Sequence, residues 1–286
     1  MMKKNMFLLM GIAAMLTACE RPVIDDESGG PVKGNVTLTF SPYQTMTRAS
    51  SPDGLFTKVN YMLFDKATGE RAFATVRTQT ADDENFGTVT MQLADGEYDV
   101  LMVGHSSARS ATLAKDKVSF TASDGRKITD TFWQKVPITV GDKPVEQEIV
   151  LDRATAMFRL VITDATPASV THFKFEYKGG SADFNPNTGN GITNSSQSEL
   201  RDVNGENTYE VYTFPKDNNK LTVTVYALNS DDAIIRQMKF ENVPVKARTI
   251  TCYTGEFFSG AAEVISSGKF TIKVNGEWEE TNNYVF

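Results

Sequence analysis

From residue 35 onward the apolar side chains recur at every second position, in runs rich in Val, Thr, Phe and Tyr, which is the period of half-buried strands. Val36, Leu38 and Phe40 alternate with Thr37 and Thr39, predicting a first strand with a threonine outer face. Val59, Tyr61 and Leu63 predict a second, ending in the turn cluster Asp65-Lys66-Ala67-Thr68-Gly69. Val89, Met91 and Leu93 run into Asp95-Gly96, and Tyr98, Val100 and Met102 run out of it, so a hairpin is expected there. The Ala-rich stretch 106–115 fits a short helix or a covering loop. Strands around Val118 and Phe120, then 128–133, 136–140 and 145–151, complete a first block over 35–152.

The second block, 153–286, opens in the same way. A strand at 157–162 is expected to pair with one at 171–177, and 179–207, full of Gly, Asn and Ser, reads as a long loop. Strands follow at 209–214, 221–228, 234–240, 248–253 and 269–274, with a last apolar cluster at Tyr284-Val285-Phe286. No helical stripe exceeds three turns in either block. Many short strands separated by turns predict an all-β chain with two β-sandwiches, since a parallel sheet would need helical crossovers.

Ahead of residue 35 the pattern changes. Lys3 and Lys4 precede an apolar run over 6–15, in the order of a secretory signal. The run has about half of the roughly twenty residues that a spanning helix needs. Its end, Leu16-Thr17-Ala18-Cys19, resembles the lipobox of bacterial lipoproteins; an ordinary signal peptide followed by a chance cysteine is the alternative. The resemblance implies a diacylated Cys19 as the new N-terminus, a signal peptide over 1–18, and tethering to outer-membrane lipid, because two or three acyl chains hold firmly where one holds marginally. Residues 19–34, with Asp25, Asp26 and Glu27 followed by Gly29, Gly30, Pro31 and Gly34, read as a flexible acidic linker. The acidic cluster also resembles a surface-export signal; a solvated spacer explains it equally well.

Charge and chemistry narrow the function classes. The 286 residues carry 29 Lys and Arg against 36 Asp and Glu, a formal charge of −7, which becomes −9 once Lys3 and Lys4 leave with residues 1–18. That balance disfavours nucleic acid and anionic membrane surfaces. With Cys19 acylated, Cys252 is the one remaining thiol and no intrachain disulfide forms. Cys252 alternates with Ile250 and reads as a small core residue. His105 and His172 fall in different blocks and read as surface or edge residues, not as a catalytic pair. There is no Cys-x-x-Cys, HExxH or phosphate-cradling Gly loop, and Asp82-Asp83-Glu84 and Asp231-Asp232 read as solvated turns. No catalytic residue, cofactor or metal is expected. The alternative function is a surface glycan-binding lipoprotein, which should expose aromatics on one face, with Trp133, Trp278, Tyr177 and Tyr253 as candidates.

Four segments in order resemble the fimbrillins, the subunits of type V pili in Bacteroidales-type bacteria. They are the ending at Cys19; Val36 to Phe40 followed by Thr45-Met46-Thr47-Arg48-Ala49; Val59-Asn60-Tyr61-Met62-Leu63-Phe64-Asp65 with the later Leu93-Ala94-Asp95-Gly96-Glu97-Tyr98-Asp99-Val100; and Val243-Pro244-Val245-Lys246-Ala247-Arg248-Thr249-Ile250-Thr251 with Gly255 beyond. The resemblance implies two tandem transthyretin-like β-sandwich domains of Greek-key type, at the cell surface or in the fimbrium, acting in adhesion. It also implies assembly with other pilus subunits by strand exchange. An arginine-specific protease would cut between Arg48 and Ala49, releasing the strand 35–43 with Val36, Leu38 and Phe40. A donor strand would come from 269–286, with Phe270, Ile272, Val274, Tyr284, Val285 and Phe286. A host or bacterial surface receptor would be a further partner.

Overall fold

The computed structural model describes residues 35–42, 55–121, 128–216 and 220–259, and the strands 264–266, 271–275 and 278–285, with side chains in the last three only for 283–285. These residues form strands, turns and bends and no helix. The first nine strands are β1 (Val36–Pro42), β2 (Lys58–Asp65), β3 (Arg77–Thr80), β4 (Thr88–Met91), β5 (Gly96–His105), β6 (Thr112–Leu113), β7 (Val118–Ser119), β8 (Phe132–Val140) and β9 (Val145–Arg153). The order β3-β2-β5-β8-β9-β1-β4 makes one sheet of seven. Only Phe132↔Arg153 and Trp133↔Asp152 join β8 to β9. There the sheet splits into two layers, β3-β2-β5-β8 and β9-β1-β4, whose inner faces share one hydrophobic cluster.

The remaining strands are β10 (Ala156–Ile162), β11 (His172–Gly180), β12 (Asp183–Phe184), β13 (Ser195–Asp202), β14 (Thr208–Thr213), β15 (Lys220–Leu228), β16 (Ile234–Pro244), β17 (Thr249–Gly255), β18 (Val264–Ser266), β19 (Thr271–Asn275) and β20 (Trp278–Val285). The sheets β14-β10-β17-β20-β19 and β13-β11-β15-β16-β18 close over a second cluster containing Phe158, Phe173, Phe175, Phe240 and Tyr253. Both halves repeat one arrangement. The entering strand lies between an antiparallel neighbour and a parallel strand from late in its half: β4-β1-β9 in the first half, β14-β10-β17 in the second.

Several sequence expectations change here. Asp95-Gly96 is not a hairpin turn, because β4 pairs with β1 while β5 pairs with β2 and β8, so the chain crosses between layers at 92–95. Turn residues and alternating flanks look alike for a hairpin and a crossover, and only the buried faces decide. The strand at 157–162 pairs with β14 and β17 instead of the one at 171–177, which lies in the opposite layer. The stretch 179–207 is no long loop, since it holds β12 and β13. Its Gly content serves close approaches: at Gly189, φ is +76° and a Cβ would come 2.8 Å from the Trp133 ring.

That stretch also joins the halves. β12 pairs with β7, Phe184 and Phe214 belong to the first cluster, and Phe214 stacks on Phe120 with centroids 5.7 Å apart. Lys117 meets the Asp183 carboxylate at 2.7 Å. The Ala-rich stretch 106–115 is a covering segment containing β6, not a helix. It leads into β7, and with Leu113, Val118 and Phe120 it buries the second face of the central strands β2 and β5. The turn at Asp65 forms as expected, with Asp65 Oδ1 accepting from the Ala67 and Thr68 amides and Gly69 at φ +74°.

Candidate functional site

The candidate site is the seat of β1. Val36, Leu38 and Phe40 are buried to within 1% of completely, whereas Thr39 on the opposite face is exposed, so the sequence alternation is the inside-outside pattern. β1 is an interior strand: seven positions pair parallel with β9, from Val36↔Val145 to Pro42↔Leu151, and four pair antiparallel with β4. Both partners are distant in sequence. Its entry is fastened by Asn35, whose side-chain amide donates to the Leu93 carbonyl at 2.8 Å and whose Oδ1 accepts from the Leu93 amide at 2.9 Å. The Asn35 carbonyl accepts from the Val145 amide, and the Phe40 amide donates to Gly87. Phe40 meets Phe86 edge-on at 5.9 Å, Phe86 meets Phe56, and Phe56 meets Phe132, above which the Arg153 guanidinium sits at 4.6 Å.

Neither Asn35 nor this aromatic chain stands out in the sequence reading. An amide residue directly before the first apolar alternation is the one signal that could have pointed to the fastening.

The C-terminal candidates lie elsewhere. β20 runs parallel to β17 from Thr249↔Glu280 to Thr254↔Val285 and antiparallel to β19, which contains Ile272 and Val274. Tyr284 stacks on Tyr253 with ring centroids 4.3 Å apart, and its burial pushes the hydroxyl pKa up to about 12. Val285 points outward, 86% exposed. The segment thus sits at the edge of a different sheet from the one that seats β1. Cys19, Arg48, Ala49, Phe270 and Phe286 lie outside the described residues.

The buried polar groups serve the fold. His105 is fully buried rather than at the surface, because the covering segment lays Phe120 against it at 5.2 Å. Its Nε2 meets Asn60 Oδ1 at 2.7 Å, and Nδ1 accepts from the Ser107 amide. Burial, and then the Lys58 charge, lower its pKa to about 3, so it stays neutral. His172 lies in the other half, against Asp232 at 2.8 Å. Burial raises the Cys252 thiol. Asp130 accepts from Arg153 and Thr155 at the junction of the halves, its pKa raised by burial against the pull of Arg153. Glu199, 1% exposed, accepts from Arg201 and from the Tyr177 hydroxyl at 2.7 Å. Thr171 Oγ1 meets His172 Nδ1 at 2.9 Å beside the His172 contact to Asp232, whose side chain is 79% exposed, so this trio sits at the solvent-facing start of β11. Of the aromatics expected on a glycan-binding face, Tyr177 and Tyr253 are buried, and Trp133 is half-buried against Phe184.

A comparison with protein-family models matches residues 24–284 to the family described as fimbrillin-A associated anchor proteins Mfa1 and Mfa2. The chain belongs to this fimbrial anchor family. A comparison with curated proteins returns no match. Among solved structures, one described as a candidate adhesin from Bacteroides ovatus ATCC 8483 is similar at 13% identity and a TM-score of 0.51, over 89% of this chain and 98% of that one. A candidate cell adhesion protein from Bacteroides eggerthii DSM 20697 is similar at 10% identity and a TM-score of 0.49, over 90% of this chain and 100% of that one. The fimbrial anchor protein Mfa2 from Porphyromonas gingivalis is similar at 12% identity and a TM-score of 0.42, over 71% and 80% of the two chains. At such identities the likeness speaks for the fold alone. The resemblance to pilus proteins expected from the sequence thus stands, as does the all-β fold, and the family sets the chain among cell-surface fimbrial proteins.

Proposed function

We propose that the protein is made as a lipid-anchored precursor, held to the outer membrane through Cys19, of a cell-surface pilus subunit, with the β1 seat as the place where strands are exchanged once the tether is cut. The observation that carries this reading is the position of β1. It is an interior strand with two sequence-remote partners, fastened at its entry by one asparagine. Taking it out leaves open backbone groups on β9 and β4 together with vacated pockets for Val36, Leu38 and Phe40, a combination that a strand from another subunit satisfies. The sequence puts Arg48 and Ala49 between β1 and Leu55, where an arginine-specific cut separates the strand from the body.

A second reading follows from the family description and keeps the anchor uncut: β1 stays seated, the lipid stays attached, and the protein forms the base of the fibre. Adhesion to a host or bacterial surface receptor completes either reading. Intact mass and N-terminal sequence of the protein from its native surface test both. A start at Ala49 without lipid mass supports exchange at the β1 seat. Acylated Cys19 with Arg48 intact supports the uncut anchor, and an unmodified Cys19 overturns the lipid tether.

A further inference from the structure

In each half the strand that enters lies parallel to the strand that leaves. β1 enters the first half and β9 leaves it, and the two pair in parallel over seven positions. β10 enters the second half and pairs in parallel with β17 over six positions; β17 pairs in parallel with β20, the last strand, over six more. This matters when the chain is pulled from its two ends. Tension at Asn35 draws β1 toward its N-terminal end, while tension leaving through Arg153 draws β9 toward its C-terminal end. Because the strands run parallel, the paired positions are made to slide past one another, and the whole ladder resists together. Two strands pulled from neighbouring ends peel apart one rung at a time.

From this geometry we propose that the molecule is a mechanical clamp, arranged to carry tension along its chain from the N-terminal side of β1 to the C-terminal end of β20. The second half is loaded in the same sense as the first, with β10 drawn one way, β20 the other and β17 between them. Asn35 fastens the loaded end of β1 through two hydrogen bonds to Leu93, and Tyr284 stacks on Tyr253 near the loaded end of β20.

The link between the ladders is held from both sides. Ala154 N–H donates to the Thr131 carbonyl at 2.8 Å, Arg248 N–H donates to the Thr155 carbonyl at 2.9 Å, and the Thr155 hydroxyl donates to Asp130. β12 on β7, the Lys117 to Asp183 contact, and Phe184 and Phe214 in the first cluster oppose hinging of one half from the other. The inference rests on the uncut-anchor reading, in which β1 stays seated and the N-terminal tether and the assembled fibre supply the load. The clamp itself depends only on strand direction.

The test is single-molecule pulling of the full chain carrying Cys19→Ala. One set of molecules bears handles at the N- and C-termini. A second bears them at the N-terminus and at Gly141→Cys. A Cβ at Gly141 meets nothing within 4 Å, and the position precedes β9 beside the start of β1, so this pull peels β1 from β9 out of the same folded protein.

The end-to-end pull should require an unfolding force at least about twofold higher at one loading rate, since forced unfolding follows the unfolding barrier along the direction pulled. Equal forces, or a lower end-to-end force, overturn the clamp. A second readout uses Thr39→Pro. Phe40 N–H faces β4, so the alternation turns Thr39 N–H toward β9, and proline removes it. The end-to-end force should fall by about a third or more. No change in a folded Thr39→Pro protein counts against the clamp. No lipid enters the experiment, so a failed clamp and a failed tether, the latter read from the mass of the native protein, remain distinct results.

Discussion

If β1 is held chiefly by its inward side chains, Phe40→Ala should be among the most damaging single changes in the first half. Phe40 is 1% exposed, and its ring meets Phe86 edge-on at 5.9 Å. Truncating a buried phenylalanine costs about 3–5 kcal/mol, the lost transfer free energy together with the cavity left behind. The aromatic pair lies within that figure at about 0.5–1.5 kcal/mol. The site has little room to relax, because Phe86 is itself wedged against Phe56 and Phe56 against Phe132. The value should therefore sit near the middle, about 4 kcal/mol.

In guanidinium chloride, with a slope of about 5 kcal/mol per molar, this becomes a midpoint shift of about 0.8 M. Thr39→Ala, one residue away on the exposed face, should change stability by less than about 0.5 kcal/mol. The assay is equilibrium unfolding followed by Trp fluorescence for wild type and both variants, with the slope compared first. If Phe40→Ala and Thr39→Ala shift the midpoint equally at unchanged slope, β1 is not held by its apolar face, and the argument for a strand-shaped pocket fails with it.

Other expectations follow from the interior. His105 should make the fold acid-sensitive. Its folded pKa of about 3 lies below the unfolded value of about 6.5, so the unfolded state binds the extra proton; the contribution is whole above about pH 6.5 and is lost as pH falls toward 3, amounting to about 2 kcal/mol by pH 5. His105→Gln should flatten that part of the stability-pH curve, and an unchanged curve counts against the assignment. Arg201→Ala should destabilise by about 3–5 kcal/mol, because it leaves the Glu199 carboxylate buried without its cation. Pairing it with Glu199→Gln should recover part of the loss in a double-mutant cycle by urea unfolding. Gly189→Ala puts a side chain at φ +76° and 2.8 Å from Trp133, for about 2 kcal/mol and a melting temperature roughly 4–8 °C lower, whereas Gly141→Ala should be near neutral.

Much of the fold is legible in the residues themselves. Period-two alternation marks β1 and the side chains it buries, because a strand with one face inward and one outward leaves that trace in any sheet. The turn at Asp65 is equally local, its side chain bonding amides two and three residues on. The family resemblance was readable for a similar reason: strand and turn segments keep their order along the chain.

Pairing was not legible. Val89, Met91, Tyr98 and Val100 alternate as two arms of a hairpin would, yet the arms lie in different layers, and the choice depends on which faces find apolar partners 50 or more residues away, as Val89 does at Leu38. The parallel placement of β1 on β9, of β10 on β17 and of β20 on β17 leaves no local mark. The burial of His105 and the docking of Phe184 in the first core are likewise settled by what folds over them. The sequence alone determined most of the longer strands and which of their faces are apolar, though not β12 and β13 within 179–207, because backbone pleating and turn chemistry act within a few residues. The tertiary structure decided which strands are neighbours and in which direction they run, because burial is shared between surfaces that meet only once the chain has folded.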